Sequence, residues 1–254
     1  MAHSDHRQSG RESGQAAVEA ALTLPLLVFM ILGTLQLFLM LQARIVAEYA
    51  VFMAARVGSV NHGSCTRMTH AAVATLLPTF DSFLGNRYSG EPGQKFAAAF
   101  QERMGNSFRY KPARDEGHDR EIIWLLRPSP LASSIDSTED DFDDPDRGDG
   151  GYMLEVRLVY WYPLRIPFAN WVMSRMFMAA LGVQNFTGTN PTMLTQTNAQ
   201  WQHEGGPTLE AALASEMQAR VSARQYVFPI QASFAMRMMT PPRSTEFATQ
   251  NCSP

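Results

Sequence analysis

The organisation of this chain is decided by residues 14–58, GQAAVEAALTLPLLVFMILGTLQLFLMLQARIVAEYAVFMAARVG. A single carboxylate, Glu19, stands before an uncharged run from Ala20 to Ala43. A helix over these 24 residues would be about 36 Å long. That length is enough to cross a hydrocarbon core of about 30 Å with some tilt. The sequence therefore predicts a membrane-spanning helix over residues 20–43.

The helical pattern continues past the apolar run, over residues 44–58. Its large side chains recur at steps of four and three, with Ile45, Tyr49 and Phe52 on one stripe. This spacing is typical of an amphipathic helix. We therefore expect residues 44–58 to form a stalk that lifts the rest of the chain off the membrane.

The apolar run is predicted to be a retained anchor rather than a cleaved secretory signal. The hydrophobic region of such a signal has only about 7–15 residues, and here the helical pattern simply goes on. The whole helix is predicted over residues 15–59, with a mild kink near Pro25, because proline removes one backbone donor. Residues 1–13 are polar and show no helical period, which predicts a leader or a frayed terminus.

Composition indicates one domain after the membrane helix. The chain has 254 residues, a net charge of −3 and a pI near 6.1, and these values do not favour a nucleic-acid partner. The roughly 190 residues after the helix suffice for one domain with its own core. The predicted fold class is α+β: a transmembrane helix with a stalk, followed by an extracytoplasmic domain, residues 61–254, of helices packed on a small antiparallel sheet.

Periodicity predicts the elements of this domain. The predicted helices cover residues 66–77, 94–104, 168–181 and 207–225, and the predicted strands cover residues 121–126, 152–162 and 226–238. Strand 152–162 is the clearest, because its apolar residues alternate. Helix 66–77 should stop at Pro78, and strand 121–126 should stop at Arg127-Pro128.

The segment 168–181 is predicted to be a short amphipathic helix or a surface segment. It should expose large apolar side chains, namely Trp171, Met173, Met176 and Phe177. Such a surface could rest on a membrane or on a partner protein.

The two cysteines, Cys65 and Cys252, both follow the membrane segment. In an oxidising compartment they could form a disulfide that closes almost the whole domain, worth about 4–5 kcal/mol in the chain-entropy model. The alternative is a pair of free thiols.

The most acidic segment is residues 136–151. Such a run is usually a solvated loop. Its carboxylates are also hard oxygen ligands, so Asp141, Asp143, Asp144 and Asp146 are weak candidates for calcium, although their order does not fit an EF-hand. The sequence predicts a solvated loop and keeps calcium binding as the weaker alternative.

Sequence motifs do not indicate an enzyme. The six His residues are scattered, and no H-E-x-x-H, G-x-S-x-G, Walker A or G-x-G-x-x-G pattern occurs. The two distant cysteines do not form a zinc motif. We expect no catalytic residues and no cofactor.

Residues 14–19, GQAAVE, place a carboxylate five residues after a glycine and directly before a long apolar helix. This arrangement resembles the processing site of type IV prepilins and pseudopilins. Further features of the resemblance are Pro25, Gly33, Gln36 and the helix end Ala54-Ala55-Arg56-Val57-Gly58. Together they resemble the TadE-like family of the tight-adherence (Tad, or Flp) pilus system, over about residues 14–60.

The resemblance implies a cut between Gly14 and Gln15, which would make Glu19 the fifth residue of the mature chain. It also implies that this carboxylate pairs with the freed amine of a neighbouring subunit and sets the register of assembly. Two departures, Gln15 in place of Phe and Ala20 in place of an aromatic residue, leave an uncleaved chain as an alternative. Glu19 alone is also explained as an interfacial acid that favours the start of a helix.

The implied function is that of a minor pseudopilin in Tad/Flp (type IVc) pilus assembly or tight-adherence secretion. Its implied partners are the bacterial inner membrane, other Tad pilus, pseudopilin and platform proteins, and the prepilin peptidase. The implied topology is a single pass, with residues 1–14 in the cytoplasm and the C-terminal domain in the periplasm. The alternative function is that of an uncleaved membrane-anchored periplasmic binding or adhesion protein.

Overall fold

A computed structural model of the chain describes residues 9–83, 87–105, 109–110, 120–135, 151–180 and 209–252. The helices are α1 (Ser9–Ser59), α2 (Cys65–Phe80), α3 (Pro92–Gly105), α4 (Ala169–Ala180) and α5 (Leu209–Ser222), with a 3-10 turn at Ala132–Ser134. The strands are β1 (Arg109–Tyr110), β2 (Arg120–Glu121), β3 (Ile123–Ser129), β4 (Met153–Pro163) and β5 (Val227–Arg237). The predicted α+β class, a long apolar helix followed by helices and a small antiparallel sheet, is confirmed.

The first helix is longer at its N-terminus than the sequence predicts. It begins at Ser9 instead of residue 15, because each residue added to an existing helix gains a hydrogen bond at little further entropic expense. It runs through Pro25, whose missing N–H removes only one backbone hydrogen bond of the helix.

A tight turn after α1 reverses the chain into α2. The carbonyl of Gly58 accepts hydrogen bonds from the amides of Asn61, at 3.2 Å, and Gly63, at 2.9 Å. Gly63 adopts φ +79°, and a Cβ there would lie 2.3 Å from the ring of Phe247. Glycine is therefore required at this position both by the backbone and by the close packing of the C-terminal tail.

Two predicted boundaries at prolines were wrong. Helix α2 continues past Pro78 to Phe80, whose ring is buried in the core and supplies apolar burial that offsets the lost hydrogen bond. Strand β3 continues through Pro128 to Ser129. It is an edge strand with an irregular register between Leu126 and Ser129, so a missing donor there disrupts little.

The main sheet has the antiparallel order β3-β4-β5 and separates two layers of helices. One face of β4 packs toward α1 and α2 through five buried residues, Leu154, Val156, Leu158, Tyr160 and Tyr162. The opposite face, with Val159 and Trp161, packs against Met178 of α4 and Met217 of α5. The alternation predicted for this strand is confirmed. The two-residue strands β1 and β2 form a separate ladder that the sequence did not predict.

Helix α1 packs directly into the domain along its C-terminal part. Ala43, Ala47, Ala50 and Ala54 are buried in the same core as β4 and α2. Their small side chains let the backbone of α1 lie close to the sheet, where larger side chains would hold it away. The expectation that residues 44–58 lift the domain off the membrane was therefore wrong, because this part of α1 is a wall of the domain core.

Candidate functional site on the N-terminal helix

The processing residues predicted from the sequence lie inside α1. Gly14 and Gln15 are helical, and Glu19 is exposed one turn further along the same helix. Thr23 donates its hydroxyl to the backbone carbonyl of Glu19 at 2.9 Å, which satisfies the hydroxyl inside an apolar run. Residues 15 and 19 share one face of the helix because they are four positions apart. Their cleavage and register roles remain predictions.

Residues 16–28, called the lower segment, are exposed on every side. The candidate membrane span is Ala16–Ser59, with a mean hydropathy of 2.3 in its most apolar 18-residue window. Only 6% of that window is buried, so this part of α1 is not the core helix of the domain. A helix that is apolar all round and uncovered by its own protein is suited to a lipid environment. This helix fits a single-pass membrane anchor.

Residues 43–59, called the upper segment, have two different faces. The face toward the domain carries the buried alanines, and the opposite face exposes Ile45 (62%) and Tyr49 (56%). The sequence placed Ile45, Tyr49 and Phe52 on one stripe, but it did not show that Ile45 and Tyr49 stay exposed while Phe52 packs against Phe234 of β5. Burial of the alanine stripe instead follows from how closely α1 approaches the sheet.

The outward face of the upper segment borders an open groove of about 750 Å³ between α1 and strands β4 and β5. The rings of Phe52 and Phe234 meet edge to face at 5.1 Å in this groove, and Tyr49 stacks on Phe52 at 6.1 Å. Two exposed ion pairs stand beside the aromatic residues. They are Arg44–Glu48 on α1, at 3.3 Å, and Arg157–Glu155 on β4, at 3.0 Å. An apolar floor with charged edges is the composition of a protein-binding surface.

Gln36 is a functional candidate whose role sequence reasoning missed. Its side chain is fully buried, although it lies in the middle of the apolar run. Its Oε1 accepts a hydrogen bond of 2.9 Å from the backbone amide of Ile166, while its Nε2 has no hydrogen-bond partner among the described residues. The signal available in the sequence was the amide itself, because a polar side chain in a membrane helix normally needs a partner.

The C-terminal tail is fastened to the turn after α1 and to the start of α2 by two features. A disulfide joins Cys65 and Cys252, which were left as either bonded or free by the sequence. Beside it, the guanidinium of Arg127 is fully buried and donates to the carbonyls of Gly63, Glu246 and Thr249 at 2.6–2.7 Å.

The Arg127 guanidinium also lies 4.4 Å from the centroid of the Phe247 ring. Burial lowers the pKa of Arg127 to about 10, so the side chain still carries its positive charge at neutral pH. The carbonyl dipoles and the ring face stabilise that charge, and the carboxylate of Glu246 acts in the same direction by raising the pKa of Arg127 against the effect of burial. The sequence predicted only that Arg127 lies at the end of a strand. Its role as a carbonyl clamp, which holds Glu246 and Thr249 of the tail against Gly63, depends on the tail folding back onto the domain.

A second buried charge lies between α2 and α3. Arg103 donates to Asp81 through Nε, at 2.9 Å, and through its terminal nitrogen, at 2.5 Å, and both side chains are buried. Next to this pair, Glu102 accepts from Arg87, at 2.6 Å, and from the Tyr88 hydroxyl, at 2.8 Å. These ion pairs and hydrogen bonds join α2 to α3, so their role is to stabilise the fold.

Two pKa values in this network are displaced. Burial, followed by the hydrogen bond to Glu102, raises the pKa of Tyr88 to about 12. For Glu102, burial acts to raise the pKa, but the hydrogen bonds from Tyr88 and Arg87 outweigh it and the pKa is lowered.

The described residues contain no group of three or more His, Cys, Asp or Glu side chains that could hold a metal ion. The calcium candidates Asp141, Asp143, Asp144 and Asp146 lie outside the described residues. Calcium binding by the acidic segment therefore stays a prediction of the sequence.

Comparison with known proteins supports the resemblance at α1. Neither the search of curated proteins nor the search of solved structures returned a match. One family model matches, described as TadE-like protein, and it covers residues 14–56. The TadE-like family is a pilus assembly family and is not known as an enzyme family. From residue 14 to residue 56, this chain therefore carries the TadE-like segment, which indicates a component associated with the Tad pilus.

Proposed function

We propose that this chain is a minor pseudopilin-like component of a Tad/Flp pilus assembly or tight-adherence secretion system. It acts by membrane anchoring and helix packing, with its N-terminus in the cytoplasm and its domain in the periplasm of a bacterium. One observation supports this proposal above the others. On the outward face of α1, large apolar residues stay exposed from the lower segment up to Ile45 and Tyr49, while the domain packs against another face that consists mainly of alanines together with Val51.

The outward face can accept another helix over its whole length. In the lower segment its surface is apolar, and in the upper segment it is aromatic, with Arg44 and Glu48 beside it. Helices in a membrane associate through packing and not through a hydrophobic gain over lipid. Above the membrane the same face gains the burial of Ile45 and Tyr49 from water. We expect the partner to be another pseudopilin or a platform protein of the system.

Glu19 is proposed to set the register of this packing. If the peptidase cuts after Gly14, the new amine at residue 15 and the Glu19 carboxylate lie on one helix face, four positions apart. Pairing the carboxylate with the amine of a neighbouring subunit neutralises two charges at the membrane, where an isolated charge is expensive. The register between subunits would then depend on one polar contact in an otherwise apolar surface.

Two experiments test this proposal. The first co-expresses the chain with a Tad prepilin peptidase and determines its N-terminus by mass spectrometry. We expect a start at Gln15 and loss of that species in Gly14→Ala. An intact N-terminus that is the same in both proteins would contradict processing and would favour the uncleaved binding or adhesion protein.

The second experiment measures assembly with Glu19→Ala and Tyr49→Ala, and with Val18→Ala as a matched control on the exposed surface next to Glu19. Glu19→Ala should reduce piliation strongly, and Tyr49→Ala should weaken co-purification with the partner while the disulfide stays intact. Normal piliation in Glu19→Ala would contradict the register role. Unchanged co-purification in Tyr49→Ala would contradict the outward face as the packing surface.

A further inference from the structure

The turn before α4 reaches far down α1, into its apolar run. The ring of Phe168 lies 5.7 Å from the ring of Phe29, edge to face, and Ile166 donates its backbone amide to Gln36. At about 1.5 Å per residue, Phe29 lies roughly 15 Å and Gln36 roughly 26 Å above Glu19 along the helix. The hydrocarbon core of a bilayer is about 30 Å thick. Both contacts therefore fall within the depth that α1 crosses.

The surface at this end of the domain is apolar and exposed. Phe168 is 57%, Trp171 47% and Met176 67% exposed. The other predicted surface residues of α4, Met173 and Phe177, are instead partly buried against the two cores, so the prediction of their exposure was wrong. Their burial fixes the orientation of α4 and directs Trp171 and Met176 away from the domain.

Phe168 combines an exposed apolar ring, which is unfavourable in water, with a backbone conformation that is unfavourable for steric reasons in any solvent. Its ring is exposed, and its backbone adopts φ +68°, a conformation that bulky residues rarely adopt. The preceding Arg165 is exposed at the level of Gln36, close to where phospholipid headgroups would begin. Trp is typical of that membrane interface, whereas the guanidinium of Arg165 donates to the backbone carbonyl of Thr79 at 2.6 Å.

We propose that Phe168, Trp171 and Met176 insert into the domain-side leaflet of the bilayer that α1 crosses. The occupant of this surface is lipid and not another protein, because Phe168 is continuous with Phe29 on the apolar run of α1. The membrane then holds the domain through α1 and through α4. Gln36 fits this arrangement, because the domain brings the amide of Ile166 to a polar side chain that lipid would leave without a partner.

The test uses the full chain reconstituted in phosphatidylcholine vesicles. The only two cysteines of the sequence form the disulfide, so an introduced cysteine is the only free thiol. A fluorescent label is placed at Met176→Cys. Two control labels on α1 bracket it: Leu27→Cys in the lower segment and Arg56→Cys roughly 55 Å above Glu19 along the helix. Quenching is measured with a nitroxide on the lipid acyl chains and with iodide in the water.

We expect acyl-chain quenching at position 176 to be within about twofold of that at position 27, as for an interfacial helix. Iodide should quench position 176 much less than position 56. Phe168→Asn removes the ring but tolerates the same backbone conformation. It should raise iodide quenching at position 176 without changing position 27.

The proposal rests on the membrane-anchoring part of the proposed function, and the controls separate the two. If iodide and the acyl-chain nitroxide each quench position 176 as they quench position 56, while the nitroxide quenches position 27 strongly, the inserted surface alone is overturned. Absence of acyl-chain quenching at position 27 would overturn the anchor and the inserted surface together. The vesicles contain no pilus protein, so neither outcome depends on assembly.

Discussion

The lower and upper segments of α1 belong to one continuous helix but are exposed to different surroundings. The lower segment, residues 16–28, is exposed throughout in the part of the chain that the structure describes, and the upper segment, residues 43–59, buries an alanine face in the domain. The lower segment is thus specified by composition alone, since lipid accepts any apolar side chain. The upper segment is specified by side-chain volume at particular positions, because a packed core accepts only side chains that fit the space available.

The largest expected effect comes from opening the disulfide. In Cys65→Ser/Cys252→Ser, the domain should lose about 5 kcal/mol, because the bridge closes most of its length in the unfolded state. The lower segment should be unaffected, since it does not depend on the domain. Urea unfolding in detergent measures the loss, and limited proteolysis in vesicles measures the protected membrane fragment. An unchanged unfolding midpoint would contradict stabilisation of the domain by the disulfide. A changed membrane fragment would contradict the independence of the lower segment from the domain.

Removing one side chain of the buried ion pair should have the next largest effect. Arg103→Met leaves Asp81 buried with only Arg87 nearby, at 3.8 Å, and should destabilise the domain by about 3–5 kcal/mol. The double variant Arg103→Met/Asp81→Leu removes both charges and should recover much of that loss. Both values come from urea unfolding. If the double variant is less stable than the single one, the Asp81 carboxylate beside Arg87 is not an uncompensated charge, and the proposed reason for the loss in Arg103→Met is wrong.

A matched pair of substitutions tests the two segments directly. Ala47→Leu adds volume at a fully buried position of the upper segment and should destabilise the domain by about 1–3 kcal/mol. Ala21→Leu adds the same volume to the exposed lower segment and should leave the unfolding midpoint unchanged. Equal losses of stability at the two positions would contradict the claim that side-chain volume matters in the upper segment and not in the lower segment.

The smallest expected effect is a pH dependence from the α2–α3 network. The folded pKa of Glu102 is lowered from 4.5, so its contribution to stability is present above that value and is lost as pH falls through the folded pKa. Tyr88 acts in the opposite direction. Its folded pKa is about 12 against an ordinary 10, so its contribution is present below pH 10 and is lost as pH rises toward 12.

Glu102→Gln tests the acid side of this prediction. The native chain should lose more stability than Glu102→Gln when urea unfolding is compared at pH 7 and at pH 3.5, about one unit below the ordinary value. The difference should be small, because the Glu102 side chain is 40% exposed. An equal loss in the two proteins would show that the network does not couple to pH.

The sequence by itself determined the apolar anchor helix, the fold class, the alternation of β4 and the family resemblance over about residues 14–60. Each depends on a local property: the length of an apolar run, the period of a pattern, or a glycine and a carboxylate five positions apart. The continuation of helix and strand through Pro78 and Pro128 could not be predicted, because the burial of Phe80 and the edge position of β3 are properties of the assembled domain.

Only the tertiary structure decided how the domain is placed on its helix. The alanine face of the upper segment, the buried Gln36 and the carbonyl clamp of Arg127 all depend on residues that are more than 60 positions apart in the chain. A sequence pattern shows that a helix has two faces, but the choice of the buried face follows from the shape of the surface that packs against it. For α1 that surface is formed by α2 and the sheet together, and it packs against the alanines and Val51 and leaves Ile45 and Tyr49 exposed.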